Sequence, residues 1–178
     1  ALNGAASLDE AVKRMSGVNV QDYGGVGGLK TVSVRGLGAK HTAVSYDGIV
    51  VGNSQSGQVD IGRLSLDNVD MVSLSIGGDD DIFRSATEYA SASLLSLVSR
   101  HAYETRTSVR LRTGSFGLAD AVLRHTQSFG KKWSASLQGN YMRSDGMYPF
   151  VLENGVNTSR EKRRDSDVQA FGAEGNVY

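Results

Sequence analysis

The chain of 178 residues contains no cysteine. This excludes a disulfide framework, a thiolate nucleophile and a zinc site built on cysteine. An excess of one charge sign is also missing. Lys+Arg and Asp+Glu both number 19, whereas a nucleic-acid binder shows a basic excess on one face. Long apolar runs are absent too. The densest cluster, Leu94-Leu95-Ser96-Leu97-Val98, falls far short of the ~18 to 20 residues of a membrane helix. Residues 1–17 lack the basic start and apolar middle of a signal peptide. Proline occurs once, beside 22 glycines, where ordinary usage of about 7% would give roughly a dozen. Glycine in excess without proline points to strands and tight turns rather than to a flexible linker.

The first periodic segment, residues 7–16, reads as a short helix. Leu8, Ala11, Val12 and Met15 recur at helical spacing. Ser7 and Glu10 form a capping-box pattern at its start, and Gly17 is a natural stop. From Val18 the period becomes two. Short strands are expected at residues 18–20, 31–35, 41–46 and 49–51, separated by the cluster Gly24-Gly25-Val26-Gly27-Gly28, by Gly36-Leu37-Gly38 and by the turn Tyr46-Asp47-Gly48. A polar loop covers residues 52–58, and a helical turn or two is expected within residues 61–66. Residues 69–76 form a strand with Val72, Leu74 and Ile76 on one face, ended by Gly77-Gly78-Asp79-Asp80-Asp81. Residues 82–100 are rich in Ser and Ala and end in a strand-like stretch, residues 95–99. The sum is a small mixed α/β domain.

Beyond residue 101 the alternation lengthens. In residues 133–141, Trp133, Ala135, Leu137, Gly139 and Tyr141 alternate with Ser134, Ser136, Gln138 and Asn140. Phe171, Ala173, Gly175 and Val177 repeat the pattern, as do Val109 and Leu111 against Ser108, Arg110 and Arg112. A long polar loop is expected over residues 145–166. Segments of ~10 alternating residues with terminal aromatics are the pattern of transmembrane β-barrel strands. The antiparallel sheet of a soluble protein alternates in the same way.

Catalytic templates fail. The glycines at 24–28 do not fit G-x-G-x-x-G or the phosphate loop, and residues 52–57 are not a nucleophile elbow. His41, His101 and His125 lack metal-ligand spacing. Asp79-Asp80-Asp81 lacks the spaced ligands of a calcium loop and reads as a solvated turn. No metal, cofactor or catalytic residue is expected.

An ordered set of segments nevertheless has a family likeness. Ser16-Gly17-Val18-Asn19-Val20, Val32-Ser33-Val34-Arg35-Gly36-Leu37-Gly38, Tyr46-Asp47-Gly48-Ile49-Val50-Val51 and Val69-Asp70-Met71-Val72-Ser73-Leu74-Ser75-Ile76-Gly77-Gly78 together resemble the plug domain of TonB-dependent outer-membrane receptors. The resemblance covers residues 7–100, and the alternating segments resemble the first strands of the family's barrel. One departure stands out: the glycine pair of the family's last plug segment is replaced by Ala92-Ser93, which puts close backbone packing there in question.

The resemblance implies an α+β plug domain of short mixed strands and small helices over residues 1–101. Antiparallel strands of a truncated transmembrane β-barrel would then follow over residues 102–178. A barrel of ~22 strands has a lumen wide enough to need a plug, and such a wall needs far more chain than follows position 101. The implied function is import of a scarce ligand, of iron-chelate, cobalamin or glycan class, at the bacterial outer membrane. The plug would gate the lumen and no enzymatic activity is implied. Partners would be the transported ligand, the membrane, and a TonB-type periplasmic energy-transducing protein acting through an N-terminal box; no such box is recognisable ahead of Leu8. Nucleic acid is not an expected partner, and truncated barrel strands would self-associate.

Ligand contact is expected at Gly24, Gly25, Gly27 and Gly28 and at Asn53, Ser54, Gln55 and Ser56. Small residues there allow close approach and supply amides and hydroxyls. By resemblance, Arg35 is an ion-pairing residue between plug and barrel, with Asp47 or Asp60 as partner. The competing reading is a soluble β-rich secreted or periplasmic binding module. It requires the apolar face of residues 102–178 to be covered in water.

Overall fold

The computed structural model describes residues 5, 7–52, 57–77, 82, 84–100, 104–130, 132–155 and 157–178. The chain divides into two compact units, residues 1–100 and residues 101–178.

The first unit opens with helix α1 (Leu8–Lys13). Leu8, Ala11 and Val12 lie three and four positions apart and are buried, while Asp9 and Lys13 hold its polar edge. The expected capping box at Ser7 does not form: the Ser7 hydroxyl makes no cap bond and lies on Asp9, while Glu10 pairs with Arg14 at 2.7 Å. The strands β1 (Val18–Asp22) and β2 (Lys30–Val34) form an antiparallel hairpin. Next come β3 (Thr42–Tyr46), β4 (Ile49–Val51), β5 (Val69–Ile76), helix α2 (Ala86–Ala90) and β6 (Ser93–Ser99). A complete capping box does occur, on α2, between Ser85 and Glu88.

The main sheet of this unit runs β4-β3-β6-β5, with β3 and β6 parallel. Its central strand β6 is buried on both faces, at Leu94 and Leu95 alike, so its sequence carries no clean alternation. Ser93 donates its hydroxyl to Thr42 Oγ1 at 3.0 Å, and this small polar pair joins the start of β6 to β3. The core joins Leu8 and Val12 to Val32, Val34, Val44, Ile61, Val69, Leu95 and Leu97. Each such side chain contributes about 1.5–3 kcal/mol through removal from water.

The second unit contains β7 (Arg106–Gly114), β8 (Leu118–Phe129), β9 (Trp133–Ser144), β10 (Pro149–Asn154), β11 (Asn157–Lys162) and β12 (Val168–Val177). Four of them form an antiparallel meander in the order β12-β9-β8-β7. On one face Val109, Leu111, Leu123, Leu137, Tyr141 and Phe171 stand exposed, Phe171 at 90%. The other face is polar: Asp120 takes Arg112 Nε at 2.7 Å and Arg110 Nη2 at 3.7 Å, and Arg124, Thr126, Ser136 and Gln138 are buried.

The expected loop over residues 145–166 is instead largely a hairpin. β10 pairs with β11 from Pro149↔Lys162 to Asn154↔Asn157. All of its described residues are exposed, so no buried face imposes an alternating pattern and period two cannot announce it.

Candidate functional site

The glycine cluster closes the β1–β2 hairpin. The carboxylate of Asp22 accepts the amides of Gly24 at 3.1 Å and Gly25 at 2.7 Å, and Gly28 N–H donates to Gly25 O at 3.2 Å. A Cβ on Gly28 would come within 2.7 Å of Gly24 Cα, and Gly25 and Gly27 have φ of +72° and +76°. The loop is therefore a fixed backbone form with Gly25, Val26 and Gly27 exposed, rather than a slack connector. Asn53, Ser54, Gln55 and Ser56 lie outside the described residues, as do His101 and Asp79-Asp80-Asp81.

Beyond residue 56 the chain returns to the root of the glycine loop. Asp60 Oδ1 accepts the Lys30 amide at 3.0 Å and the Gly62 amide at 3.0 Å, capping the 3-10 turn Ile61–Arg63, and Oδ2 accepts from Arg63 Nε at 3.2 Å. The root of the glycine loop and the 3-10 turn are thus held together by a carboxylate bridge. Lys30 is the other half of that junction. Its ammonium lies 2.9 Å from Asp9 on α1, with Lys13 at 3.7 Å. Burial pushes the Asp9 carboxyl up, but the Ser7 hydroxyl, Lys30 and Lys13 outweigh it and hold the group below its ordinary value. Sequence reasoning missed Lys30, because nothing local marks a lysine as bridging a helix and a turn.

Arg35 and Gly36 form a two-residue left-handed turn, φ +50° and +76°, closed by Leu37 N–H to Val34 O at 3.1 Å. The side chain of Arg35 is exposed, and its Cγ lies 3.7 Å from where a Cβ on Gly17 would stand. Among the described residues no ion pair joins Arg35 to Asp47 or Asp60. The physical reason is that both carboxylates are engaged by backbone amides. Asp47, itself at φ +49° in the turn before Gly48, accepts Ser99 N–H at 2.7 Å and so secures the end of β6. Asp60 is occupied by the amides of Lys30 and Gly62.

His125 Nδ1 lies 2.8 Å from Thr107 Oγ1 on the second unit, and His41 ends a 3-10 turn. Among the described residues no cluster of acidic groups and histidines could hold a metal ion.

Two parts define the class: a small α/β domain with a rigid glycine loop, succeeded by an antiparallel meander with one exposed apolar and one polar face. Residues 1–87 match the family model of the TonB-dependent Receptor Plug Domain. They constitute such a plug domain. Over 173 residues it is 25% identical to the Vitamin B12 transporter BtuB of Vibrio vulnificus (strain CMCP6), covering 96% of this chain and 28% of that protein. Its fold is like that of the Copper transporter OprC, with TM-score 0.60, 18% identity, and coverage of 97% of this chain and 28% of the other. The chain therefore spans little more than a quarter of the length of either protein.

Proposed function

We propose that the chain supplies the plug and first wall strands of a bacterial outer-membrane receptor that imports a scarce ligand with TonB-coupled energy. The match of residues 1–87 to the plug family carries this reading. The meander supports it: Trp133, Leu137, Tyr141 and Phe171 are 63%, 65%, 45% and 90% exposed, as a lipid-facing wall requires and a soluble module would avoid. The two relatives are named for vitamin B12 and for copper. Cargoes so unlike each other keep the proposal at the level of a scarce ligand, which the sequence resemblance sets among iron chelates, cobalamins and glycans. It acts as a receptor, not as an enzyme.

In this reading the glycine loop and residues Asn53, Ser54, Gln55 and Ser56 contact ligand, and the Asp60–Lys30–Asp9 chain ties that end of the plug to α1. Arg35, exposed on its turn, is the plug residue available to an acid of the barrel wall. The test uses a full-length receptor carrying this chain, expressed in cells with and without TonB. Uptake of labelled cobalamin, ferric chelate and oligosaccharide is measured. One of them should accumulate only when TonB is present, and Asn53→Ala with Gln55→Ala should weaken its binding. Equal uptake of all three in the absence of TonB would sink the proposal.

A further inference from the structure

The turn between β7 and β8 places a bulky side chain where the backbone disfavours one. Phe116 has φ +61° and Gly117 φ +66°, and Leu118 N–H donates to Ser115 O at 3.3 Å. This is a mirror-image turn whose first central position favours Gly, Asn or Asp. An aromatic residue there is strained, and strain of this kind concentrates at ligand clamps. The surroundings hold it in place. Phe116 O accepts Asp145 N–H at 2.9 Å and the Ser144 hydroxyl at 3.2 Å, and the Asp145 carboxylate occupies the space a Cβ on Gly117 would need.

The ring so held meets the root of the β10–β11 hairpin. Phe116 and Tyr148 stand edge to face, centroids 5.8 Å apart at 60°. The Arg163 guanidinium lies 5.6 Å from the Tyr148 centroid and donates to its hydroxyl at 3.1 Å, while Arg163 N–H donates to Tyr148 O at 3.0 Å. Ser166 donates to Gly146 O at 2.8 Å and pins the same root. Both rings remain open, Phe116 at 48% and Tyr148 at 38% exposure. Among the described residues no carboxylate forms an ion pair with Arg163. Two fixed, accessible aromatic rings and a cation with spare donors offer stacking and charge together.

We propose that Phe116, Tyr148 and Arg163 form a preorganised binding site for an aromatic anion, a planar ring bearing a carboxylate or ionised phenol. The ring packs between Phe116 and Tyr148, stacked on one and edge-on to the other, while the guanidinium holds the negative group. This deepens the receptor reading by naming a ligand class, and it rests on that reading only for the consequence, import.

The test measures binding directly, on the purified full-length receptor in detergent with empty micelles as the blank. Three probes are compared: benzoate, cyclohexanecarboxylate and benzyl alcohol. Benzoate should bind about tenfold or more tighter than either of the others, since each lacks one of the two interactions. Arg163→Gln should remove the preference over benzyl alcohol, and weaken benzoate about tenfold, without touching the backbone. Phe116→Asn suits the left-handed turn, so it should keep or raise the melting temperature while weakening benzoate about tenfold. Should Phe116→Asn fail to fold, Arg163→Gln alone decides. Equal affinity for the three probes, or unchanged benzoate binding in Arg163→Gln, overturns the site. Benzoate binding that persists in a receptor showing no TonB-dependent uptake removes the import reading and leaves this one standing.

Discussion

Lys30 Nζ lies 2.9 Å from Asp9 Oδ2, joining the start of β2 to the first turn of α1 across 21 positions of sequence. Both side chains are largely shielded, at 19% and 9% exposure, so neither charge is screened as a surface pair would be. Asp9→Asn leaves Lys30 shielded beside a neutral amide. It should cost about 1–3 kcal/mol at neutral pH, read by chemical denaturation.

The same pair predicts an acid dependence. The Asp9 carboxyl is held below its ordinary value of 3.8 in the folded state. Its contribution is therefore complete above that value and declines as the pH falls below it, because the unfolded chain takes up the proton first. Stability measured from pH 6 down to pH 2 should fall less steeply in Asp9→Asn than in the wild type. Parallel curves would remove Asp9 as a source of the acid slope.

Gly28→Ala introduces a Cβ 2.7 Å from Gly24 Cα, against Gly24 backbone that has nothing flexible to yield. The glycine loop must then open or shift. The variant should lose about 1–3 kcal/mol, and amide exchange of Gly24 and Gly25 should quicken as the Asp22 cap loosens. Gly25→Ala, with open space around its Cβ but φ +72°, should cost less, by backbone strain alone.

Asp47 combines a left-handed backbone with an acceptor for Ser99 N–H at 2.7 Å. Asp47→Ala loses both advantages and should destabilise by about 1–3 kcal/mol, whereas Asp47→Asn tolerates the conformation, keeps an acceptor and should recover most of it. Equal loss in the two variants would mean that the carboxylate charge, not the hydrogen bond, holds the end of β6.

Leu137 and Phe171 stand on the exposed face of the meander. Leu137→Arg should cost about 2–4 kcal/mol if the residue lies near the middle of a bilayer. In water the same change touches no core. Folding of the full-length receptor into vesicles, compared between wild type and variant, reads the difference directly. Unaltered folding would argue for an aqueous face.

Much of the architecture comes from local pattern. The helix at residues 8–13 is legible because Leu8, Ala11 and Val12 share one face, and β9 because Trp133, Leu137 and Tyr141 share one side of a pleat. The turn at Asp47-Gly48 is legible because few residue pairs accept two left-handed positions in succession. Other features had no local marker. The capping box belongs to Ser85 and Glu88 and not to Ser7 and Glu10, since the same four-residue pattern forms only where the serine hydroxyl is not drawn to another partner. The β10–β11 hairpin is exposed on both faces and so leaves no periodic trace.

Apart from α2 and the β10–β11 hairpin, the order of strands and turns, the two-faced meander and the glycine loop were legible along the chain, because each depends on neighbours within a few residues. Long-range packing alone set the parallel pairing of β3 with β6, whose partners stand about fifty residues apart, and the partners of the charged groups. Arg35, Asp47 and Asp60 shared one expected duty. In the fold the two acids bind backbone amides and the arginine remains exposed. A carboxylate takes whichever donors the packed chain leaves unsatisfied beside it, and that competition is settled by distance in space, which spacing along the chain does not record.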